Sequence, residues 1–404
     1  MIEFLAVAAS FTATLAALLF ALAVLVPIFV LAAEILSALL PLEKIPRAAA
    51  ARRPRVAVLV PAHDEAAGIA TTLASICSQL TAGDRLLVVA DNCSDATALV
   101  ARSAGAEVVE RQDPFRRGKG YALDAGIRHL AAAPPEVVVI VDADCLLDPG
   151  TIDAIARRCQ ASRRPVQAID LMEAPIGAPP RLQVAEFAWR VRNLVRPLGL
   201  RGLGLPCQLM GTGMAFPWPL IAGARLASGH IAEDLKLGLD LAIAGTPPLL
   251  EPAGRVRSRF PADADGVRQQ RTRWEHGHLS VILAEFPRLL GSALIRRDGA
   301  LLALALDLAV PPLTLLALLA AASLLVSASI HGLGLSPLPF AISLATAGLL
   351  GLAILAAWVR FGRDAVSLPA LLAAIGYALW KIPIYLRFLV GRQLEWVRSK
   401  RDAP

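Results

Sequence analysis

Two aspartates, Asp142 and Asp144, stand one residue apart directly after the β-branched run at residues 137–141. A run of this kind is typical of a strand buried on both faces of a parallel sheet. Carboxylates at the carboxyl end of such a strand lie where open α/β sheets bind ligands. Two of them can share a hard divalent cation, Mg²⁺ or Mn²⁺, that also holds phosphates. We therefore predict a metal site at Asp144, assisted by Asp142.

The same tripeptide recurs at residues 263–265, where it follows Pro261 without an apolar strand pattern. An Asp-x-Asp motif has little specificity outside a strand context. We expect this second copy to be a solvated turn.

The chain from residue 55 alternates short apolar runs with helical patterns, and this predicts a parallel sheet with right-handed crossovers. The expected strands lie at residues 56–60, 86–90, 107–109 and 137–141, and the expected helices at 66–80, 95–104 and 119–132. Polar residues follow the strands, at 61–65 and at 91–95 as well as at 142–144. This is the placement that a ligand site at the carboxyl edge of the sheet requires.

Gly118-Lys119-Gly120 opens the third predicted helix, where free backbone amides and one lysine suit a phosphate. Taken singly, Lys119 fits a solvated loop charge equally well, and Asp95 fits a helix N-cap. The joint placement of these residues favours a binding site for a phosphorylated ligand.

The composition points to a membrane protein, because 56% of the 404 residues are hydrophobic and only 18% are charged. Residues 4–33 carry no charge and exceed the ~20 residues of one spanning helix, but they are too few for two. The run is also longer than the ~7–15 apolar residues of a signal peptide. Basic residues at 44–55 follow it, so we expect the next domain to be cytosolic.

Two further spans are predicted at residues 308–330 and 332–359, which are uncharged. The stretch at 365–380 is short, and a third full span would place the basic tail outside, so we expect a re-entrant or interfacial segment. Residues 181–200 have an amphipathic pattern, which predicts a helix that lies in the headgroup layer or packs on the domain.

The net charge of +7 is spread beside the apolar segments, which fits anionic lipids and a diphosphate substrate better than nucleic acid. The five cysteines show no paired spacing, so neither a zinc site nor a disulfide framework is indicated. Reduced cysteines agree with a cytosolic domain.

The sequence resembles the family 2 glycosyltransferases, the membrane-bound GT-A group that includes cellulose, hyaluronan and poly-N-acetylglucosamine synthases and ceramide glucosyltransferases. The resemblance spans residues 54–280 and rests on five ordered motifs. These are PAHDE at 61–65, Asp91, DAD at 142–144, Glu233-Asp234, and QRTRW at 270–274, which matches QxxRW. Asp64 stands where the family more often has asparagine.

The resemblance implies a GT-A fold, Rossmann-like and mostly parallel, together with roles for individual residues. For the nucleotide sugar these are Pro61, His63, Asp64, Glu65, Asp91, Lys119, Asp142 and Arg273. For the acceptor they are Gly211, Thr212, Gly213, Gln270 and Trp274. Asp234, with Glu233, would supply the general base. The alternatives are an N-cap for Asp234, core packing for Trp274 and an ordinary glycine turn at 211–213.

We expect three regions: a transmembrane helix and basic linker (1–50), a cytosolic GT-A domain (51–280), and an interfacial helix with two or three spans and a basic tail (281–404). The expected protein is an inverting glycosyltransferase of the bacterial inner membrane. It would move a sugar from a UDP-sugar to a polysaccharide or lipid-linked glycan. A long polymer would need a homo-oligomer or an export partner, because the monomer has few spans.

Three alternatives stay open at this point. The first is a single addition to a membrane lipid, as in ceramide glucosyltransferases. The second is a receptor or transporter with an inactive nucleotide-binding domain. The third is a nucleotidyltransferase on a similar fold. The sequence assigns no role to His276 or His278; metal ligation and polar packing are both considered, although their i,i+2 spacing does not put both on one helical face.

Overall fold

A computed structural model shows an α/β domain packed against a group of long apolar helices, and it describes residues 1–41, 52–229, 232–260 and 264–390. For Gln270, Arg271 and Arg273 only the backbone is described.

Eight described strands form one sheet in the order β3-β2-β1-β4-β7-β6-β8-β5. They are β1 Val56–Ala62, β2 Arg85–Asp91, β3 Glu107–Arg111, β4 Val137–Ile140, β5 Leu146–Leu147, β6 Val166–Glu173, β7 Met214–Pro217 and β8 Leu249–Arg259. The strands β1 to β4 pair in parallel, and so do β6 and β8. The pairings of β7 with β4 and β6, and of β5 with β8, are antiparallel. The sheet is therefore parallel in its first half and mixed beyond it.

The helices of the described ranges alternate with these strands and then continue beyond the sheet. They are α1 Ile2–Leu39, α2 Ile69–Cys77, α3 Thr97–Ser103, α4 Lys119–Leu130, α5 Thr151–Ser162, α6 Pro180–Arg190, α7 Arg196–Gly202, α8 Trp218–Ala222, α9 Glu233–Ile243, α10 Ala264–Arg296, α11 Gly299–Leu308, α12 Leu313–Gly332, α13 Leu338–Phe361, α14 Leu368–Leu372 and α15 Ala374–Val390. A π-helical turn, Val191–Val195, joins α6 to α7.

The parallel half of the sheet is confirmed as predicted, with the four strands and three helices in their expected order. The central strands are buried on both faces because their β-branched and aliphatic side chains alternate between two apolar layers. One layer packs on α2 and α5, and the other packs on α4, α8 and α9. Buried strands of this kind place their carboxyl ends together at one edge.

One expectation about the second Asp-x-Asp copy is wrong. A strand does precede it, because β8 ends at Arg259. The strand was missed because its sequence, LLEPAGRVRSR, contains proline, glycine and several charges, which are depleted in strands. Asp263 lies outside the described residues, and the backbone of Ala264 and Asp265 begins α10.

The amphipathic segment at residues 181–200 packs inside the structure. It forms α6, the π-helical turn and the first part of α7. Its apolar side chains, such as Phe187 and Val195, share a buried cluster with Ile28 and Ile35 of α1. The sequence allowed this segment to lie in the headgroup layer or to pack on the domain. The structure shows packing, and the segment packs against the long apolar helix α1.

A buried ion network joins α1, α7 and α11. Arg196 donates from Nε to Glu34 Oε2 at 2.7 Å, and from Nη2 to the Asp307 carbonyl at 2.6 Å and to its carboxylate. Gln208 donates to the same carboxylate. Glu34, Arg196 and Asp307 are all less than a tenth exposed. Buried charges are tolerated when they are paired and hydrogen-bonded, so this network fixes how α1 sits on the domain.

Four described helical segments are long and apolar enough to cross a membrane. They are Val7–Leu39, Trp274–Arg296, Leu313–Gly332 and Leu338–Phe361. The sequence predicted spans at three of them and an interfacial helix in the region of the fourth, Trp274–Arg296, which is the second part of α10. This fourth segment differs from the others because it carries charges along its length, including Glu285 and Arg288. The expected boundary at residue 280 lies inside α10, and the stretch at 365–380 forms α14 and the start of α15.

Replacing Gly199 by alanine should destabilise the contact between α7 and α1. An added Cβ would lie 1.9 Å from the carbonyl oxygen of Glu34, and a backbone atom cannot move aside as a flexible side chain can. We expect a loss of about 1–3 kcal/mol or more, as for other overpacked sites. Thermal unfolding of the detergent-purified protein measures this. Gly291→Ala is the control: no atom lies within 4 Å of its added Cβ, so a normal melting temperature is expected there. Equal melting temperatures for both variants would contradict the prediction.

Candidate active site

A pocket lies where the chain leaves β4, and the loop before β7 and the start of α9 form its other walls. It encloses, with its open mouth, about 1140 Å³ of space free of protein atoms. Many predicted site residues line it: Lys119, Asp142, Asp144, Gly211, Thr212, Glu233, Asp234 and Trp274. The fold thus brings residues that are far apart in sequence to one edge of the sheet.

Lys119, the first residue of α4, is held between two loops. Its Nζ lies 2.5 Å from Asp142 Oδ1 and donates to the Gly211 carbonyl at 2.7 Å. Burial alone would lower the pKa of Lys119, but the negative charges of Asp142, Glu233 and Asp234 raise it above its usual range. Lys119 therefore stays a cation in the pocket, suited to a phosphate.

The two carboxylates after β4 could hold a cation. Ligand atoms of Asp142, Asp144 and Cys145 lie within 4.8 Å of one another. Burial raises the pKa of Asp142, and Asp144 and Asp234 add to this against the opposing charge of Lys119. A divalent ion would offset this concentration of negative charge, and carboxylate oxygens are the ligands that Mg²⁺ and Mn²⁺ prefer. The residues present fit the predicted metal.

Glu233 and Asp234 form the first turn of α9, whose N-cap is Ala232. The alternative role of Asp234 as the N-cap is therefore not observed. Burial and the charge of Asp234 raise the pKa of Glu233 to about 8, although Lys119 opposes them. The protonated form of Glu233 is therefore favoured near neutral pH.

Gly211 keeps the space between these groups open. Its φ is +93°, and an added Cβ would lie 3.2 Å from Asp234 Oδ2 and 3.8 Å from Lys119 Nζ. A side chain at this position would occupy the space that faces both residues. Gly213, by contrast, does not line the pocket. It packs inside the sheet, where an added Cβ would meet Val256 and Ala168, so the fold brings Gly211 and Thr212 to this pocket but not Gly213.

The residues predicted to bind the nucleotide cluster at the ends of β1 and β2. The Nδ1 atom of His63 lies 2.7 Å from the carbonyl oxygen of Asp91. Asp64 has a φ of +52°, and its carboxylate accepts hydrogen bonds from the backbone and hydroxyl of Ser94. Pro61 pairs with Val89 across β1 and β2, and the Glu65 amide donates to Thr97. These contacts join the two loops into one rigid edge.

Asp91 is paired with a residue that the sequence did not single out. Arg111, at the end of β3, donates to Asp91 Oδ1 at 2.6 Å, and its guanidinium lies 5.4 Å from the centre of the Tyr121 ring. The arginine orients Asp91, and Tyr121 presents a flat surface beside it.

The pocket residues that were missed in the sequence include Asp170, Trp189 and Arg192. Asp170 is 3% exposed on β6, and its carboxylate accepts from Asn193 Nδ2 at 2.9 Å. A carboxylate in the middle of the mostly apolar strand VQAIDLME was a signal that could have found it. Trp189 and Arg192 carried no such signal, because their segment has the pattern of a surface helix.

Two motif residues, Gln270 and Arg273, have side chains outside the described part of the structure. Trp274 is described; it lines the pocket and its ring lies 4.9 Å from that of Trp189. Among the histidines, His276 lies 3.0 Å from the Ile384 carbonyl, whereas Arg192 donates to His278 Nδ1 at 3.3 Å. The two rings have different partners, which fits polar packing rather than a shared metal.

Asp170→Asn should make the stability of the protein less dependent on pH. Burial and the nearby charge of Asp142 raise the pKa of Asp170 to about 8, against about 3.9 in the unfolded chain. The folded state therefore binds more protons between these pH values, and stability falls as pH rises through this window. We expect the variant to melt above the wild type at pH 8 and close to it below pH 4.

Thermal unfolding in detergent with EDTA, from pH 4 to 8.5, measures this difference. Asp153→Asn is the matched control, because Asp153 is an accessible carboxylate on α5. If wild type and Asp170→Asn lose stability in parallel as the pH rises, Asp170 does not titrate as described.

A family model described as glycosyltransferase like family 2 matches residues 54–277, which is more than half of the chain. The chain belongs to glycosyltransferase family 2. The GT-A type of α/β fold expected from the sequence is confirmed.

This glycosyltransferase is similar to uncharacterized glycosyltransferases of Mycobacterium tuberculosis and Mycobacterium bovis. Each is 32% identical over 204 residues, which cover 45% of this chain and 85% of the relative. A glucosyl-3-phosphoglycerate synthase of Mycolicibacterium paratuberculosis is 41% identical over 101 residues, covering 23% of this chain and 29% of the relative.

Solved structures also resemble the glycosyltransferase. A mannosyltransferase from Pyrobaculum calidifontis, in complex with GDP-Man and Mn²⁺, is 21% identical with a TM-score of 0.48 and covers 84% of this chain and 98% of that one. The glucosyl-3-phosphoglycerate synthase of Mycobacterium tuberculosis, in complex with Mn²⁺, UDP and glucosyl-3-phosphoglycerate, is 22% identical with a TM-score of 0.36 and covers 57% and 81%.

Proposed function

We propose that this family 2 enzyme is an inverting, metal-dependent glycosyltransferase of the bacterial inner membrane. It transfers a sugar from a UDP-sugar to a polysaccharide or lipid-linked glycan acceptor. The observation that carries the proposal is the convergence of Lys119, Asp142, Asp144 and Asp234 on one pocket at the carboxyl edge of the sheet. Such an edge is where α/β folds bind nucleotides.

The donor would lie with its base near Asp91 and its diphosphate near Lys119. Asp91 is fixed by Arg111, and the edge formed by His63, Asp64 and Glu65 lies beside it. Lys119 stays protonated at every pH of interest, so it can bind the negative charge of the diphosphate as that charge grows. Arg273 is proposed to add a second positive charge on resemblance alone.

Asp234 would act as the general base. The acceptor hydroxyl attacks the anomeric carbon on the side opposite the diphosphate, and its proton passes to the Asp234 carboxylate. The bond between the anomeric carbon and the diphosphate breaks, and its electron pair leaves with the diphosphate. One displacement inverts the anomeric configuration, and no covalent enzyme intermediate forms. Trp274 offers an aromatic surface for the acceptor.

Asp142 and Asp144 would hold the divalent cation. When it is bound, the cation supplies positive charge that stabilises the departing diphosphate. The salt bridge from Lys119 to Asp142 keeps one of these carboxylates at the mouth of the donor site before the donor arrives.

The proposal includes the orientation of the protein in the membrane. We place the 52–260 domain in the cytosol, because the basic cluster before it follows the positive-inside rule. Val7–Leu39, Leu313–Gly332 and Leu338–Phe361 would then cross the membrane. Trp274–Arg296 would instead lie at the membrane surface, because Arg288 and Arg296 in its second half pair with Asp240 and with the Ile243 carbonyl of α9.

Release of nucleoside diphosphate tests the proposal. The detergent-purified full chain is incubated with UDP-sugars or GDP-sugars and a native membrane lipid extract, with Mn²⁺ or with EDTA. We expect Mn²⁺-dependent release from a UDP-sugar, and a product whose anomeric configuration is opposite to that of the donor. Release that persists in EDTA, retention of configuration, or turnover of GDP-sugars alone would contradict the corresponding part of the proposal.

A further inference from the structure

A second cavity lies beside the active-site pocket, between the sheet domain and the apolar helices. Together with its open mouth, it encloses about 830 Å³ of space free of protein atoms. Its described walls are mostly apolar and come from six segments of the chain. They include Leu31, Ala188, Phe260, Val310, Leu313 and Tyr377.

The cavity and the active-site pocket share a wall. Trp189, Arg192, Trp274 and His278 line both of them. The Trp189 indole donates to the Asp170 carbonyl at 3.1 Å, which fixes the ring at the boundary. A molecule that passes this boundary would have one end among apolar side chains and the other in the pocket that Asp234 lines.

The cavity lies at the domain-facing ends of the apolar helices. Trp274 begins one segment that could span a membrane, Leu313 begins another, and Leu31 lies two turns before the end of Val7–Leu39. Ends of spans lie at the level of lipid headgroups. The cavity is therefore at the depth where the chain of a membrane lipid starts, and the pocket lies on its aqueous side.

The polar groups that line the cavity are largely paired with one another. Glu275 is 8% exposed and forms an ion pair with Lys381 through Oε1, and the Tyr385 hydroxyl faces the same carboxylate. Arg192 donates to His278, and Arg196 is held by two carboxylates of the buried ion network. The surface left for a bound molecule is therefore mostly apolar.

We propose that the acceptor is a hydroxyl-bearing amphiphile whose hydrocarbon chain occupies this cavity. The inference rests on the proposed function and names its acceptor class. The hydroxyl lies in the pocket, gives its proton to the Asp234 carboxylate, and forms the new bond to the anomeric carbon. The bond from that carbon to the diphosphate breaks, and the diphosphate takes its electron pair. The product is a glycosylated lipid.

Filling the cavity tests the inference. Ala188 lines the cavity and does not line the active-site pocket, so Ala188→Phe should block the hydrocarbon chain. With a radiolabelled donor and native lipid extract, we expect at least a tenfold fall in organic-soluble product, and a donor dissociation constant like that of the wild type. Ala132→Phe, on an exposed turn after α4, is the matched control and should form product normally. Normal lipid product from Ala188→Phe would overturn the inference, as would a labelled product that is a water-soluble polymer.

Photolabelling tests occupancy without turnover. A long-chain alcohol with a diazirine in its chain is added to the wild type and to Ala188→Phe, and labelled peptides are mapped by mass spectrometry. We expect label on α6 and on residues 310–314 in the wild type, and a loss of that label in the variant. Label confined to the outward faces of the spans would overturn the inference. Label in the cavity without any donor turnover would instead count against the proposed function alone.

Discussion

Replacing Asp234 by asparagine should lower the rate of sugar transfer at least about a hundredfold, the usual range for loss of a general base. The variant keeps the size of the side chain and removes its ability to take the acceptor proton. Donor affinity should stay within about threefold of the wild type, because Lys119 and Asp142 remain. Single-turnover transfer and calorimetry with the donor measure the two effects separately.

Two other carboxyl variants make this prediction specific. Asp240→Asn lies on the same helix, where Asp240 pairs with Lys236, and it should transfer sugar normally. The pKa of Glu233 is about 8, which favours its protonated form, and glutamine resembles that form. Glu233→Gln should therefore lose less than tenfold in rate. If Asp234→Asn kept more than a tenth of the wild-type rate, or if Glu233→Gln were the more damaged variant, Asp234 would not be the base.

Replacing Asp144 by asparagine should abolish metal-dependent transfer while the protein stays folded. Removing one of two adjacent carboxylates lowers the negative charge that binds the cation, and the loss of this charge stabilisation is worth several kcal/mol in comparable sites. Since about 1.4 kcal/mol corresponds to a tenfold change in rate, we expect a fall of more than a hundredfold. The measurement is transfer as a function of Mn²⁺ concentration.

The control for this variant is Asp148→Asn. Asp148 lies four positions further along the chain but pairs with Arg257 outside the pocket. It should keep the wild-type dependence on Mn²⁺. If Asp144→Asn reaches the wild-type rate at a higher Mn²⁺ concentration, Asp144 contributes only to the affinity for Mn²⁺. If the variant needs no more Mn²⁺ than the wild type, the metal binds elsewhere.

The parallel half of the sheet was predictable because its signals are local. Each strand is a short β-branched run, and each is followed by polar residues and a helix, so the sequence alone places Asp91, Lys119, Asp142 and Asp144 at one edge. The second half was not predictable. β8 contains proline, glycine and arginines, and it is a strand because β6 and β5 pair with it.

The walls of the site depend on contacts between distant parts of the chain. Arg192 and Asp170 reach the pocket through the packing of the π-helical turn on β6, and no spacing in the sequence encodes that packing. The same is true of Arg196, whose partners Glu34 and Asp307 lie 162 and 111 positions away.

The network around Arg196 also affects how the enzyme can be isolated. If the chain were shortened to begin after residue 51, Arg196 would stay buried with one carboxylate instead of two, and the apolar surfaces that α1 covers on α7 and α13 would be exposed. The first helix is thus an integral part of the fold rather than a tether. A fragment without α1 should therefore fold poorly and lose activity. Purification of active enzyme requires the full chain in a detergent or a nanodisc that keeps α1 in place.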